Sequence, residues 1–390
     1  MPSFRRRVPR EGVWWLIVTL IFWTTGVFKG INLITLLGCF MLVIWMVNFL
    51  SLYRRMCHLR LRRWIPWPIF AKTPFPVQLE IANPQGKLLV GVRLVDQGPN
   101  HPAACFIPWM DKGKTIRFQK KQVLPRRGWQ EWKSLQAVCG FPFGIAEGIL
   151  SSQPEDRVLV FPQLGRLHRG HFRRFLRQSG SVLGRAPGHA ARHPTAQGEL
   201  YGVRGFRSGD SPKRIHWRTS ARRGELMVRE FEETPTDNLI LVLDPWLPNL
   251  PTQGEDSPHP RRSAFPPLEE AIGLAATICW EWCRQSGDRL VLAVAGHAPV
   301  IMNRETGKEF GQLLMEHLAV LSGFPDPNLE ELVNRLAGEN LPPAPILVLS
   351  TRNSALPTLL AKRFHRPAAF MNAAAPDEYG FYERPRTHAP

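Results

Sequence analysis

Two uncharged apolar stretches near the start of the chain decide its class. The first is Gly12–Phe28 (GVWWLIVTLIFWTTGVF), and the second is Ile31–Tyr53 (INLITLLGCFMLVIWMVNFLSLY). They run for 17 and 23 residues, and a helix needs about 20 apolar residues to cross a bilayer. Lys29 and Gly30 leave room only for a turn. The pattern therefore predicts a hairpin of two transmembrane helices, at about 12–28 and 31–53.

Two other interpretations explain apolar runs of this kind. A cleaved signal peptide is disfavoured, because no small-residue cleavage site follows the first run and a second run begins at once. A buried helical hairpin in the core of a soluble protein is disfavoured, because uncharged runs of this length are rare in such cores.

Positive charge lies at the outer ends of the predicted hairpin. Residues 1–63, which comprise a basic tail and the hairpin, hold ten Lys and Arg residues against one acid, Glu11. Only Lys29 is in the turn. The other nine are Arg5, Arg6, Arg7, Arg10, Arg54, Arg55, Arg60, Arg62 and Arg63. The positive-inside rule predicts a multi-pass protein of the cell (inner or plasma) membrane, with its N-terminus and its soluble region in the cytoplasm.

The rest of the chain predicts three further regions and a tail. Residues 64–162 alternate short apolar runs with Pro, Gly and Asn turns, which is typical of a β-sandwich. Residues 163–236 form a basic linker. Residues 237–375 alternate strands with helices, which predicts an α/β domain with a parallel sheet. Residues 376–390 are expected to be a loose tail.

The predicted elements of the α/β domain follow one another closely. The strands are Asn238–Asp244, Arg289–Ala295, Ile346–Ser350 and Ala368–Asn372. The helices are Leu268–Ser286, Gly307–Leu321, Asn328–Leu336 and Ala355–Phe364.

Charge and cysteine content narrow the choice of function. The net charge is +18, and residues 165–231 alone hold fifteen Lys and Arg against four acids. Such a block suits an anionic partner, namely lipid headgroups, nucleic acid or an acidic protein surface. The six cysteines are scattered without a Cys-x-x-Cys pair, which argues against a disulfide framework and against a zinc site. No phosphate-binding loop or dinucleotide fingerprint follows a predicted strand, so nucleotide turnover is not expected.

The most distinctive stretch is residues 201–232, YGVRGFRSGDSPKRIHWRTSARRGELMVREFE. It resembles the signature of a membrane-anchored family, domain of unknown function 58. That signature is Arg-x-Tyr-x-x-Gly-Asp, then Ile-Asp/His-Trp-x-x-Ser-Ala-Arg, then Leu-x-Val-Arg-Glu-Phe. Phe206 here replaces the usual Tyr. The candidate interaction residues in this stretch are Arg204, Arg207, Gly209, Asp210, Arg214, His216, Trp217, Arg218, Ser220, Ala221 and Arg222.

The resemblance implies a fold and a partner. The family's C-terminal part is similar to a von Willebrand factor A domain, and the family resembles partners of MoxR-type AAA+ ATPases. Such domains often hold a divalent metal through Asp-x-Ser-x-Ser after the first strand. Here Asp244 is kept, but the serine positions are Trp246 and Pro248. A hard cation needs several oxygen ligands, so no metal and no other cofactor are expected.

Individual residues carry competing interpretations. Asp210 either fixes a turn before a short helix at Ile215–Ala221 or pairs with the surrounding arginines that dock an acidic protein surface. We favour the turn, with Trp217 buried as a packing aromatic. His216 lacks a nucleophile or a second carboxylate, which favours a structural role. Cys279 and Cys283 share a helix face and are expected to pack in the core.

These observations predict a non-enzymatic, membrane-anchored adaptor that contacts membrane lipid and a MoxR-type AAA+ ATPase during the assembly or maturation of protein complexes. The alternative is a membrane-localised binder of nucleic acid or anionic lipid through 165–231. Nucleic acid is the less favoured ligand, because no recognised nucleic-acid module is present. An enzyme with a site near Asp244 and Ser350, at the strand ends, is the weakest interpretation.

Overall fold

The computed structural model describes residues 3–85, 88–99, 102–152, 156–181, 199–207, 212, 215–232, 237–248 and 265–385. The chain divides into two compact units. One contains residues 1–165, 315–321 and 384–390, and the other contains residues 166–314 and 322–383. The prediction separated the hairpin, at 1–63, from the β-rich region, at 64–162. The structure joins them in one unit, and it places the predicted basic linker with the α/β region.

The first unit begins with two long helices, α1 (Arg10–Lys29) and α2 (Asn32–Met56). Both are long and apolar enough to cross a membrane, and their most apolar windows are only 17% and 11% buried. They are therefore not the core helices of the described fold. They pack against each other through small residues, since a Cβ on Gly26 would meet the Thr35 backbone. Gly30 closes the turn with a positive φ of 65°.

The β-rich prediction for the next region is confirmed. One sheet has five strands in the order β1-β10-β9-β5-β6, and two sheets have three, β2-β4-β7 and β3-β11-β8. The strands are β1 (Ser3–Arg7), β2 (Arg60–Trp64), β3 (Ile69–Phe70), β4 (Phe75–Ala82), β5 (Leu89–Asp96), β6 (Ala103–Met110), β7 (Thr115–Gln122), β8 (Gly128–Trp132), β9 (Leu135–Cys139), β10 (Glu147–Ser151) and β11 (Asp156–Phe161).

The hairpin and this β-domain share one core. Met56 and Leu59, at the end of α2, are buried in a cluster with Ile81, Val92 and Ile107 from the sheets. The basic tail is not loose, because β1 pairs antiparallel with β10 over residues 3–7. That strand was missed in the sequence, where three consecutive arginines indicate only a flanking charge.

A polar residue of α2 ties this helix to the β9–β10 loop. Asn48 is fully buried. With its amide oriented to satisfy both groups, Nδ2 donates to the carbonyl oxygen of Phe141 at 3.2 Å and Oδ1 accepts from the amide of Ala146 at 3.3 Å. The start of α1 also touches this loop, since a Cβ on Gly12 would lie 1.9 Å from the Ile145 carbonyl oxygen. The loop is therefore held against both helices.

The remaining elements belong mainly to the second unit. They are β12 (Arg166–Leu167), α3 (Arg169–Ser181), β13 (Glu199–Gly205), α4 (Trp217–Arg223), β14 (Met227–Glu232), β15 (Leu239–Asp244), α5 (Pro266–Trp282), β16 (Arg289–Val294), β17 (Val300–Glu305), α6 (Lys308–Val320), α7 (Leu329–Gly338), β18 (Ile346–Ser350), α8 (Leu356–Phe364), β19 (Ala368–Asn372), a 3₁₀ turn (Pro376–Tyr379) and β20 (Tyr382–Glu383).

The α/β region is built on a five-stranded sheet with the order β17-β16-β15-β18-β19. The four predicted strands are present and run parallel. The edge strand β17 was not predicted, and it pairs antiparallel with β16. One face of the sheet packs on α7 and α8. The chain leaves β15 toward β16 on one side and later returns to β18 on the other, so the carboxyl ends of β15 and β18 flank a topological switch point.

The beginning and the end of the second unit also pack together. Helix α3 lies in the region described above as a basic linker, and its Phe172 stacks edge-on against Trp282 and contacts Phe381. The expected loose tail is wrong for its first part, because Phe381 is buried and β20 pairs with β12. Apolar contacts with α3 hold these residues in place, and no sequence pattern in the tail predicts these contacts.

Replacing Asn48 by alanine is expected to destabilise the first unit. The change leaves the Phe141 carbonyl and the Ala146 amide without their partners, and an unsatisfied buried backbone group costs about 1–3 kcal/mol. The thermal unfolding midpoint of the full-length protein in detergent micelles measures the effect. Thr24→Ala is the control, because Thr24 is half-buried and its hydroxyl bonds carbonyls of its own helix, Leu20 and Ile21, which need no side-chain partner. Equal midpoints for the two variants would contradict the proposed role of Asn48.

Candidate functional site

The signature stretch folds into a hairpin with an inserted helix. Strands β13 and β14 pair antiparallel, with a register shift between Leu200 and Gly202. Helix α4 lies between them in sequence and ends at Gly224, whose φ is 72°. The predicted helix at Ile215–Ala221 thus begins and ends two residues later. The predicted site residues Gly209, Asp210 and Arg214 lie outside the described residues.

His216 and Ser220 attach α4 to the hairpin. The Nδ1 atom of His216 accepts a hydrogen bond from the Thr219 amide at 3.2 Å and caps the helix N-terminus. Ser220 is buried, and its Oγ accepts from the Met227 amide at 2.8 Å and lies 3.2 Å from the His216 carbonyl oxygen, to which it donates. The His216 amide donates to the Met227 carbonyl at 2.8 Å. Both side chains therefore serve the local fold, as expected for His216.

The other predicted site residues of α4 are exposed to solvent. Trp217 is 65% exposed, so the expectation that it packs in a buried interface is wrong. Arg218, Ala221 and Arg222 are exposed as well. Helical spacing places Arg218 and Arg222 opposite the buried Ser220. We call Trp217, Arg218, Ala221 and Arg222 the signature helix surface.

The surroundings of this surface are also apolar and basic. Phe206 and Leu226 are exposed and adjacent, because the Phe206 amide donates to the Leu226 carbonyl at 2.8 Å. Arg207 is exposed, whereas Arg204 is half-buried and bonds the Gly205 carbonyl at 3.1 Å. Tryptophan and arginine are among the residue types that most often dominate the binding energy of protein interfaces. The sequence identified these residues but not which of them face outward.

A second polar cluster lies where β15 and β18 end. Asp244 and Ser350 are register partners and are both fully buried. Ser350 Oγ donates to Asp244 Oδ2 at 3.0 Å. Arg352 Nε donates to the same oxygen at 3.2 Å, and its guanidinium lies 5.4 Å from the centre of the Trp246 ring. The sequence placed Asp244 and Ser350 at these strand ends, but it did not show that they bond each other or that Arg352 bonds Asp244.

The donor set around Asp244 does not fit a hard cation. Arg352 brings a positive charge to the carboxylate, and the residues after Asp244 offer no side-chain oxygen through Pro248. Within the described ranges, no three His, Cys, Asp or Glu side chains are grouped in a way that can hold a metal. A divalent ion there would need more oxygen ligands and would meet the guanidinium charge.

The two cysteines of α5 and its C-terminal cap are structural. Cys279 and Cys283 are both buried, as expected. Burial raises the pKa of the Cys279 thiol well above its usual value, with a further rise from Cys283. Burial also raises the pKa of Cys283 to about 11. Both thiols therefore stay protonated at neutral pH, which makes them poor nucleophiles and poor metal ligands.

Taken together, the fold and these sites define a protein with an apolar helical hairpin, a β-domain joined to it and an α/β unit that carries an exposed signature helix. Comparison supports the resemblance seen in the sequence: residues 202–338 match the family described as "Protein of unknown function DUF58". The chain is also 24% identical over 249 residues to "Uncharacterized protein YeaD" of Bacillus subtilis (strain 168). That match covers 64% of this chain and 56% of the relative, so it spans little more than half of the relative's length.

The ion pair of Asp244 predicts a specific pattern of stability. Arg352→Met leaves the buried carboxylate with Ser350 as its only side-chain donor among the described residues, and we expect the free energy of unfolding to fall by about 2–3 kcal/mol. Asp244→Asn in the same chain should recover part of this loss, because it removes the unpaired charge. Chemical denaturation followed by tryptophan fluorescence measures both changes.

Arg366→Met is the matched control, since Arg366 is exposed on the same unit. It should change the stability by less than about 0.5 kcal/mol. Addition of Mg²⁺ should leave the wild-type midpoint unchanged. A rise of the midpoint with Mg²⁺ that Asp244→Asn removes would contradict this description of the cluster.

Proposed function

We propose that this chain is a non-enzymatic, membrane-anchored adaptor that docks a protein partner through the signature helix surface. The observation that carries the proposal is the exposure of Trp217 beside Arg218 and Arg222 on a helix whose other side is fastened to the hairpin. Together with the exposed pair Phe206 and Leu226 of the same hairpin, Trp217 gives this part of the unit a grouped apolar area, and grouped exposed apolar residues often mark a protein interaction site. Arginines at its side favour a partner with acidic groups.

The anchor in this proposal is the pair α1 and α2. Their exposed apolar side chains need a non-aqueous environment, and a bilayer supplies it. The arginines that flank their outer ends favour an arrangement in the cell membrane with both ends in the cytoplasm. In this arrangement the protein crosses the membrane twice, and both soluble units face the cytoplasm.

The α/β unit is, in this proposal, a degenerate von Willebrand factor A-like domain. Its parallel sheet with Asp244 at the end of the first strand supports the likeness. Where a domain of that class with an intact site holds an acidic ligand through a bound ion, Asp244 is already paired with Arg352. We therefore expect docking to be independent of divalent metal and to use the signature helix surface.

The partner in this proposal is an AAA+ ATPase of the MoxR type, as the family resemblance implies. The pair would act in the assembly or maturation of protein complexes, with the anchor confining the ATPase to the membrane surface. The adaptor itself would need no cofactor.

Trp217→Ala tests the proposal. The full-length chain in lipid nanodiscs is titrated with a purified MoxR-type ATPase from the same organism, and binding is followed by interferometry with and without EDTA. If Trp217 anchors the interface, its removal costs about 2 kcal/mol or more, which weakens affinity by roughly 30-fold. EDTA should have no effect on binding.

Trp129→Ala is the matched control, because Trp129 is 57% exposed on β8, outside the signature. It should leave the affinity unchanged. Equal affinities for all three proteins, or no binding by any of them, would refute docking through this surface.

A second candidate function is binding of nucleic acid or anionic lipid by helix α3. The inner side of this helix is fastened by Phe172 and by an ion pair of Arg173 with Asp237. Its outer side exposes Arg174 and Arg177. A fixed helix with outward arginines suits a phosphate backbone or a lipid headgroup layer.

Salt dependence distinguishes this candidate from the first. A labelled duplex DNA should bind the nanodisc-held protein with an affinity that falls steeply with salt. Neutralising two phosphate contacts in the Arg174→Gln, Arg177→Gln variant should reduce the logarithmic salt slope by about 2. The control is Lys362→Gln with Arg363→Gln, an exposed basic pair on α8. An identical slope for both double variants would rule out α3 as the site.

A further inference from the structure

The loop between β9 and β10 presents an exposed aromatic residue beside the helical hairpin. This loop, residues 140–146, has the sequence GFPFGIA and carries no charge. Its C-terminal end is buried at Ile145 and Ala146, whereas its tip is exposed, and Phe143 is 56% exposed. The tip turns through Gly144, whose φ is 71° and whose amide donates to the Gly140 carbonyl at 2.8 Å.

Three contacts set the height of this loop along the helices. Asn48 of α2 bonds the Phe141 carbonyl and the Ala146 amide. Gly12 of α1 lies directly against the Ile145 carbonyl. The guanidinium of Arg55 lies 5.0 Å from the centre of the Phe141 ring. The loop therefore contacts the N-terminal end of α1 and the C-terminal end of α2. These ends lie away from the Lys29–Gly30 turn that joins the two helices.

The distance of the loop from the Lys29–Gly30 turn, measured along the helices, is close to the thickness of a membrane. An α-helix rises 1.5 Å per residue, so Gly12 and Asn48 each lie about 25 Å from the turn between the helices. The hydrocarbon core of a bilayer is about 30 Å thick. If the turn lies at one surface of the core, the contacts at Gly12 and Asn48 lie within a few Å of the other surface.

The charge around the loop agrees with this position. Arg10, Arg54 and Arg55 lie on the helix ends next to the loop, and Arg7 pairs in register with Glu147 at its base. Arginines collect at the headgroup layer, where they meet lipid phosphates. An uncharged Pro-Phe-Gly tip between such arginines has the composition of a membrane-interface segment, because a phenylalanine ring is favourable at the boundary between headgroups and acyl chains.

We propose that the β9–β10 loop is a third membrane contact, in which Phe143 inserts into the lipid interface beside the hairpin. The inference rests on the proposed anchoring of α1 and α2. It assigns to the loop a lipid ligand, and it gives the β-domain a fixed height and tilt on the bilayer. Asn48 then acts as the residue that holds the loop at the interface.

Site-directed spin labelling of the full-length protein tests this contact. The accessible native cysteines Cys39, Cys57 and Cys105 are replaced by serine, and single labels are introduced by Phe143→Cys, Phe40→Cys or Lys133→Cys. The proteins are reconstituted in nanodiscs containing phosphatidylglycerol. Collision with oxygen, which concentrates in lipid, is compared with collision with a water-soluble nickel chelate. A preserved thermal midpoint establishes that each labelled protein is folded.

The two reference positions bracket the expected result. Phe40 is exposed near the middle of α2 and reports the bilayer interior. Lys133 is exposed between β8 and β9, at the end of β9 that is farthest from the loop. The label at 143 should favour oxygen over the chelate several-fold, like the label at 40, whereas the label at 133 should favour the chelate.

Two other outcomes would contradict the loop contact, the membrane anchor or both. If the label at 40 favours oxygen but the label at 143 behaves like that at 133, the loop contact is wrong and the anchor stands. If the label at 40 also favours the chelate, the proposed membrane anchor is wrong, and the loop contact fails with it.

Discussion

The burial of the last turns of helix α2 in the β-domain is the contact on which the rest of the first unit depends. Leu52, Met56 and Leu59 are almost wholly buried, and each such side chain contributes about 1.5–3 kcal/mol relative to exposure. Strand β1 approaches the same sheet from the other end of the hairpin and pairs with β10. The apolar hairpin is therefore not a tether that ends in a flexible linker, because both of its ends are built into the β-domain.

In the second unit, the polar groups at the strand ends bond one another, whereas an apolar side chain of the signature helix is exposed. Asp244 stands at the end of a central parallel strand, a position where α/β proteins often bind ligands. Its carboxylate accepts hydrogen bonds from Ser350 and Arg352. The signature helix shows the opposite arrangement, because Ser220 and His216 satisfy its backbone while Trp217 is left in solvent. This contrast is the physical basis for placing the partner surface on the helix and not at the strand ends.

Much of this architecture can be predicted from the sequence. The bounds of the two apolar helices and the four parallel strands were predicted to within about three residues, because uncharged runs and short apolar runs are strong local signals. Strand β1 was missed because its pairing depends on β10, which lies about 140 residues away and has no counterpart in the local pattern. Strand β17 was missed because Val300–Glu305 has a polar half and lies at a sheet edge.

The site was harder to predict than the fold. The signature identified Trp217, but tryptophan is usually buried, and that general tendency gave the wrong expectation. The bond between Asp244 and Arg352 joins residues 108 positions apart, so only the parallel pairing of β15 with β18 brings them together. The order at Phe381 likewise depends on contacts with α3 that a sequence pattern does not contain.

We propose that the chain acts by holding a protein partner at the membrane. The most direct measurement is affinity purification of the tagged full-length protein from detergent-solubilised membranes, with and without nuclease, followed by mass spectrometry of the bound material. We expect an AAA+ ATPase to be bound in stoichiometric amount and to remain bound after nuclease treatment. Nucleic acid in the untreated sample, with no ATPase in either sample, would contradict the adaptor function and favour nucleic-acid binding by the basic helix α3.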